Sequence, residues 1–286
     1  MSNLRTIYLL VAYDGSEFHG WQHQPGLRTV QGVLAEAVRR AVRHDVDLVG
    51  SGRTDAGVHA SGQVASFVTS CQLPATRLRY AVNSRLPTDL AVLSALEVHP
   101  EFHATRSAVS KLYRYRVHYA GTGPVAYRMQ RYAYHCWKDL DLERMQAAAR
   151  HFIRETDFSA MAGRGAERVS PVRTVLRCDV ERHLDEVRIN VEGTGFLYRQ
   201  VRNMVGTLFN VGLGRWEPDR VPAILASRDR ANAGPTMPAH GLCLQWVRYP
   251  HHLLAVPGGE GCGSDPAGTR ESAYVEADDP TTTPRR

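Results

Sequence analysis

Residues 5–13 read RTIYLLVAY, a run of apolar, β-branched and aromatic side chains that predicts a strand. The period then changes. Apolar positions fall at Val30, Val33, Leu34, Ala37, Val38, Ala41 and Val42, which is i, i+3, i+4 spacing held for three turns, and Thr29 stands where a helix cap belongs. Strands are expected near 46–51 and 62–69, a proline-started helix at 74–84, and a strand near 89–98. The order β-α-β-β-α-β is that of the ferredoxin-like unit. A second round begins with a strand at 111–119. It continues with a helix at 139–154 (Leu142, Met145, Ala149, Phe152, Ile153), strands at 172–183 and 186–192, helices at 196–210 and 218–227, and a last strand at 242–249. The pattern predicts an α+β protein of two ferredoxin-like halves, residues 1–105 and 106–250, followed by a tail at 251–286. That tail is rich in Gly, Pro, Ser, Thr and acids, a composition expected to stay disordered.

Composition narrows the function classes. A length of 286 residues suits about two domains, and 43% hydrophobic with 22% charged residues is ordinary for a globular chain. No run of eighteen apolar residues exists, and the opening MSNLRTIYLLVAYDG reads as a first strand rather than a signal peptide, so no membrane partner is expected. Five cysteines at least 19 positions apart form neither a disulfide framework nor a zinc pattern, and a reducing cytoplasm fits best. The net charge of +6 hides an asymmetry. Three of the 35 cations and six of the 29 acids lie beyond residue 250, which leaves +9 on the body and −3 on the tail. Lys111 and Lys138 are the only lysines, so 33 basic residues are arginine, whose planar fork suits phosphates and base edges. GC-rich coding sequence gives the same bias, yet nucleic acid becomes a partner worth testing.

Three polar runs carry candidate chemistry. GSGRTDAGVHA at 50–60 places Arg53, Thr54 and Asp55 on a glycine-rich loop between two predicted strands. On its residues alone this is either a rigidly held carboxylate or a turn with a solvated Arg–Asp pair. A phosphate-cradling loop fits less well, since a strand rather than a helix follows. In YDGSEFHGWQ at 13–22, the aromatics either stack on bases or anchor a long loop to the core. His19 and His23 are four apart, but Gly20 and Pro25 argue against a metal-binding helix. In GTGFLYRQVRNMVG at 193–206, Arg199 and Arg202 lie three apart opposite an apolar face. They read either as a paired anion contact or as a solvated face.

These runs, together with NSRLP-T-D, KLYRYRV and PAHGLCLQWVRY, resemble the tRNA pseudouridine synthase A family in order and spacing over roughly residues 4–250. The resemblance implies the pseudouridine synthase fold, with two ferredoxin-like α/β halves and mainly antiparallel sheets flanking a central RNA-binding cleft. It implies isomerisation of uridine to pseudouridine at positions 38, 39 and 40 of the tRNA anticodon stem-loop, by a homodimer, with no cofactor and no metal. Asp55 corresponds to the family's catalytic aspartate and Tyr113 to the tyrosine packed on the uracil. Arg53 corresponds to the arginine that helps draw the base from its stack. Arg202 is the first choice for the cation paired with the aspartate, and Arg199 is the alternative. Where the family often reads Phe-His-Ala-Arg, this chain has Phe102-His103-Ala104-Thr105-Arg106. One carboxylate in the loop, where a glycosidase uses two, favours isomerisation over hydrolysis. A nucleoside or glycoside hydrolase and a catalytically silent RNA-binding protein remain as contrasting readings.

Overall fold

The computed structural model describes residues 4–119, 131–163, 165 and 170–255. The first half follows the expected order. Strand β1 (Arg5–Tyr13) leads to helix α1 (Val30–Val42), then β2 (Val49–Gly50), β3 (His59–Thr69), helix α2 (Ala75–Asn83) and β4 (Leu90–Val98). β1 lies between β3 and β4, antiparallel to both. Because it is central its side chains are buried almost throughout, which is why it reads as an apolar run and not an alternation. In α1, Val30, Leu34, Ala37, Val38 and Val42 are buried, and Thr29 Oγ1 accepts the Gly32 N–H at 3.3 Å. Each such valine or leucine contributes about 1.5–3 kcal/mol by leaving water.

The second half comprises β5 (Ser110–Tyr119), β6 (Tyr134–Cys136), α3 (Leu142–Arg150), β7 (Glu155–Asp157), β8 (Val172–His183), β9 (Glu186–Gly193), α4 (Gln200–Gly212), α5 (Arg220–Ser227) and β10 (Leu242–Arg248). All described strands join one sheet in the order β4-β1-β3-β10-β5-β9-β8-β7, with β2 on β3 and β6 on β5. Within it, β4-β1-β3-β2 and β10-β5-β9-β8 have the same strand order, and all their pairings are antiparallel. This is the split β-α-β arrangement of a ferredoxin-like unit, present twice.

The two units meet because β2 is short. Only Val49 and Gly50 pair with β3, opposite Ser66 and Ala65, where the pattern predicts a strand over 46–51. The opposite end of β3 is thereby free, and β10 takes it in parallel register, Cys243 opposite His59 and Leu244 opposite Ala60. The loop 51–58 that replaces the rest of β2 is thus held at the seam between the halves.

Three further expectations shift. α3 begins at Leu142, not 139, because Asp141 caps it by accepting the Arg144 N–H at 3.0 Å. α4 begins at Gln200, not 196. Arg199 adopts a left-handed φ of 58°, and the Leu197 N–H is already satisfied by Gln200 Oε1 at 2.8 Å. Of the expected tail, His251–Leu253 form a 3-10 turn, and the His99 N–H donates to Leu253 O at 3.2 Å. Residues 256–286 lie outside the described residues. No described helix is long and apolar enough to cross a membrane.

Candidate active site

The loop 51–58 is fixed at its root by a buried amide. Ser51 Oγ donates to Gln63 Oε1 at 2.5 Å, Gln63 Nε2 donates to Gly52 O at 3.1 Å, and the Ser51 N–H donates to Val64 O at 2.7 Å. Gln63 is wholly buried, so these bonds satisfy groups that water does not reach. Segment 13–22 wraps the outside of the loop. The Trp21 N–H donates to Thr54 O at 3.1 Å, the Gly57 N–H donates to Phe18 O at 3.3 Å, and Tyr13 Oη shares a 2.8 Å hydrogen bond with Thr54 Oγ1. Gly20 sits at φ +88°, and a Cβ there would lie 2.7 Å from Thr54 O, so only glycine fits this approach. Tyr13, Phe18 and Trp21 are all buried, which selects anchoring over base stacking for this run.

Asp55 stands on the far side of that loop, where the Val58 N–H closes a turn onto its carbonyl at 3.1 Å. Arg202, in the first turn of α4, reaches it from the other half. Its Nη1 donates to Asp55 Oδ2 at 2.7 Å while Nε donates to Met237 O at 2.7 Å. Two donors of one planar group are held by acceptors on different segments, which fixes the guanidinium and with it the carboxylate. The side chains are 12% and 19% exposed, shielded enough for the charge pair to be stronger than a surface pair but still open to a ligand.

Tyr113 lies on β5 between Leu244 of β10 and Val191 of β9, and its ring meets Phe196 edge-on at 5.5 Å. Burial pushes its phenol above the ordinary range, and the neighbouring Asp55 carboxylate acts in the same direction. The hydroxyl is therefore neutral at physiological pH. Arg53 is exposed, and no described residue accepts a hydrogen bond from it. Arg199 precedes the helix in its left-handed conformation and stacks its guanidinium over the Tyr198 ring at 4.7 Å. Arg199 and Arg202 therefore do not share a helix face as the spacing predicts, and it is Arg202 that holds Asp55. Nor is α4 a solvated face: nearly all its residues are buried. Arg106 is exposed and does not line the cleft these groups share, while the adjacent Thr105 Oγ1 donates to Gly50 O at 2.6 Å.

Asp55, Tyr113, Arg53, Arg199 and Arg202 all line one cleft of about 1310 Å³ at the seam. Three supports of the site leave little mark in the sequence. Gln63 is a polar residue inside a predicted core strand. Met237 contributes only a backbone carbonyl, which leaves no pattern. Lys111 lies two residues before Tyr113 and so on the same face of β5; strand periodicity was the signal for it. The site offers a half-buried carboxylate, an aromatic platform and an excess of positive charge in a cleft wide enough for a nucleotide.

A sequence model of the tRNA pseudouridine synthase family matches residues 9–105 and 148–250. The chain belongs to that family, whose members are isomerases with this α+β fold. Curated relatives named tRNA pseudouridine synthase A include that of Acetivibrio thermocellus, 42% identical over 246 residues, which covers 86% of this chain and all of the relative. That of Pelobacter propionicus is 44% identical over 247 residues, again 86% of this chain and all of the relative. That of Moorella thermoacetica is 43% identical over 243 residues, or 84% and 98% of the two chains.

Proposed function

We propose that this isomerase converts uridine to pseudouridine at positions 38, 39 and 40 of the tRNA anticodon stem-loop, with Asp55 as its catalytic carboxylate. The observation that carries the catalytic assignment is the 2.7 Å Arg202–Asp55 pair facing Tyr113 across an open cleft. The choice of positions rests on the resemblance of the motifs. In the reaction the N1–C1′ bond breaks, the uracil turns, C5 bonds to C1′, and the proton leaving C5 is balanced by one gained at N1. Nothing is oxidised and nothing is lost, so the residues present are sufficient in kind. Asp55 acts as nucleophile at C1′ or C6, or as the base that leads to a glycal. Arg202 keeps it oriented, and Tyr113 provides the flat surface on which the uracil lies.

A stacked target base must leave the helix, at a cost of a few kcal/mol. Arg53, exposed at the cleft edge, fills the vacated place. Arg199 contributes charge to the RNA-facing wall. The enzyme works as a homodimer in the cytoplasm, a reading that again follows the resemblance.

The test is to incubate the protein with an unmodified tRNA transcript and map pseudouridine by carbodiimide-primer extension. Modification at 38–40 is expected. Modification only elsewhere would overturn the positions, binding without modification would overturn the catalytic reading, and free uracil would indicate hydrolysis. Asp55→Asn is expected to abolish turnover and leave tRNA affinity within a fewfold; normal turnover would remove Asp55 from the mechanism.

A further inference from the structure

Four cations line the cleft among the described residues, Arg53, Lys111, Arg199 and Arg202, against one carboxylate, Asp55. Three of the four are accounted for. Arg202 is taken up by Asp55 and Met237 O, Arg199 is stacked on Tyr198, and Arg53 projects into solvent. Lys111 differs from all of them. It is half-buried, it forms no pair with any described carboxylate, and its Nζ donates one hydrogen bond, at 2.6 Å, to Ser51 O at the root of the Asp55 loop.

The local geometry makes room for this ammonium. Gly52 has no side chain, and a Cβ there would lie 2.9 Å from Nζ, so the loop backbone packs directly against the charge. A compact ammonium fits such a slot where a planar guanidinium does not. Ser51 O occupies one of its three N–H donors, and Lys111 faces the same cleft as Tyr113, about 7 Å away along the strand. That spacing lies within the reach of a single nucleotide whose base rests on Tyr113.

We propose that Lys111 binds a phosphodiester of the RNA segment that carries the target nucleotide, the ammonium anchored on Ser51 O and its remaining donors directed to the phosphate oxygens. The RNA thereby supplies the counter-charge that the described residues do not provide. The assignment rests on the reading of the cleft as the site for tRNA. Burial is consistent with it: the Lys111 ammonium is lowered to about 8 by its removal from water. A bound phosphate favours the charged form further, since an opposite charge at contact distance typically raises such a group by about 1–3 pH units. Because Ser51 lies four residues from Asp55, the same contact would also register the backbone against the catalytic carboxylate.

The chain has two lysines, so the protein labelled with [13Cε]lysine gives two side-chain resonances, with Lys138 as internal control. In the full-length Asp55→Asn protein, the Lys111 resonance is expected to titrate near pH 8 when free, and at least one unit higher with saturating unmodified tRNA. A midpoint that stays put or falls on binding would overturn the proposal. Independently, Lys111→Met is expected to reduce the slope of log affinity against log salt by about 1, uniformly across tRNAs, with Lys111→Arg restoring it only in part. An unchanged slope would also overturn it. These outcomes separate from failure of the tRNA reading. Wild-type protein that modifies tRNA while the Lys111 resonance stays still sinks this assignment alone; protein that neither binds nor modifies tRNA sinks both.

Discussion

Asp55 and Arg202 are 147 positions apart in the chain and 2.7 Å apart in the fold. The carboxylate arrives on a loop of the first half and the guanidinium on the first turn of a helix in the second. Their meeting therefore depends on the β3–β10 pairing that joins the two units. Neither half alone contains the pair.

Arg202 makes two contacts that a lysine cannot make together. Arg202→Met should lower kcat by about 10²-fold or more, the scale seen when a preorganised charge-stabilising donor is removed. Arg202→Lys should fall between, because it keeps the charge and loses the simultaneous hold on Met237 O. tRNA affinity should stay within a fewfold in both, read by filter binding beside single-turnover rates. Wild-type turnover by the methionine variant would transfer the orienting role to another cation.

Arg53 has no described partner to lose, so Arg53→Ala should leave stability within about 0.5 kcal/mol, as for ordinary surface substitutions. If it occupies the gap left by the target base, kcat/KM should fall on a fully paired anticodon stem. The deficit should shrink on a transcript in which the target uridine is mismatched, because unpairing is then already partly done. A deficit of equal size on both transcripts would make Arg53 a phosphate contact instead.

Much of this was legible in the chain. The 3.6 and 2 periods gave the order of both ferredoxin-like units, because each long element has one buried face and shows it. What escaped was set by long-range pairing or by single backbone angles. β6 and β7 are three residues each, too short to display a period. Insertion of β10 beside β3 leaves no local trace. The left-handed Arg199 carries no compositional signal, while Phe196 and Leu197 continue the apolar spacing of α4 and extend the apparent helix backwards. At the site, motif resemblance marked the five residues that line the cleft and ranked Arg202 ahead of Arg199 as the partner of Asp55, which is the pair the fold contains. The left-handed angle that takes Arg199 off the helix face was not legible.

Gly206 tests how the helix carrying Arg202 is seated. A Cβ at this position would lie 1.8 Å from Pro235 O, a backbone atom, and a Cβ on the neighbouring Gly234 would in turn lie 2.4 Å from the Gly206 backbone. Gly206→Ala must push the 234–237 segment away and with it Met237, whose carbonyl holds Arg202. A stability loss of roughly 1–3 kcal/mol, as for overpacking, should accompany a drop in kcat. Gly195→Ala has nothing within 4 Å of its new Cβ and is the control, expected to leave stability unchanged. Equal melting temperatures for both variants would show that this contact relaxes freely.

The site's outer wall should weaken in mild acid through His59. This side chain is buried; its Nδ1 accepts the Gly15 N–H at 3.0 Å and its Nε2 contacts Arg131 O at 3.1 Å, the arrangement of a neutral imidazole. Burial lowers it from 6.5, and the nearby Asp14 charge opposes that without reversing it. The sign follows directly. As pH falls below 6.5 the unfolded chain takes up a proton that the folded chain does not, so stability is fully present above that pH and declines below it until the folded imidazole also titrates. His135 and His240 are lowered too, chiefly by burial, and add to the same slope. Asp14 is also lowered; burial opposes the shift, and its hydrogen bonds from Ser16 and Tyr132 outweigh it. Its contribution is therefore lost only below its ordinary value of 3.8, outside this window. Urea unfolding at pH 7, 6 and 5 should show a steady loss for the wild type and a shallower one for His59→Gln, whose amide oxygen still accepts from Gly15. Parallel slopes for the two proteins would show that His59 titrates alike in the folded and unfolded chains.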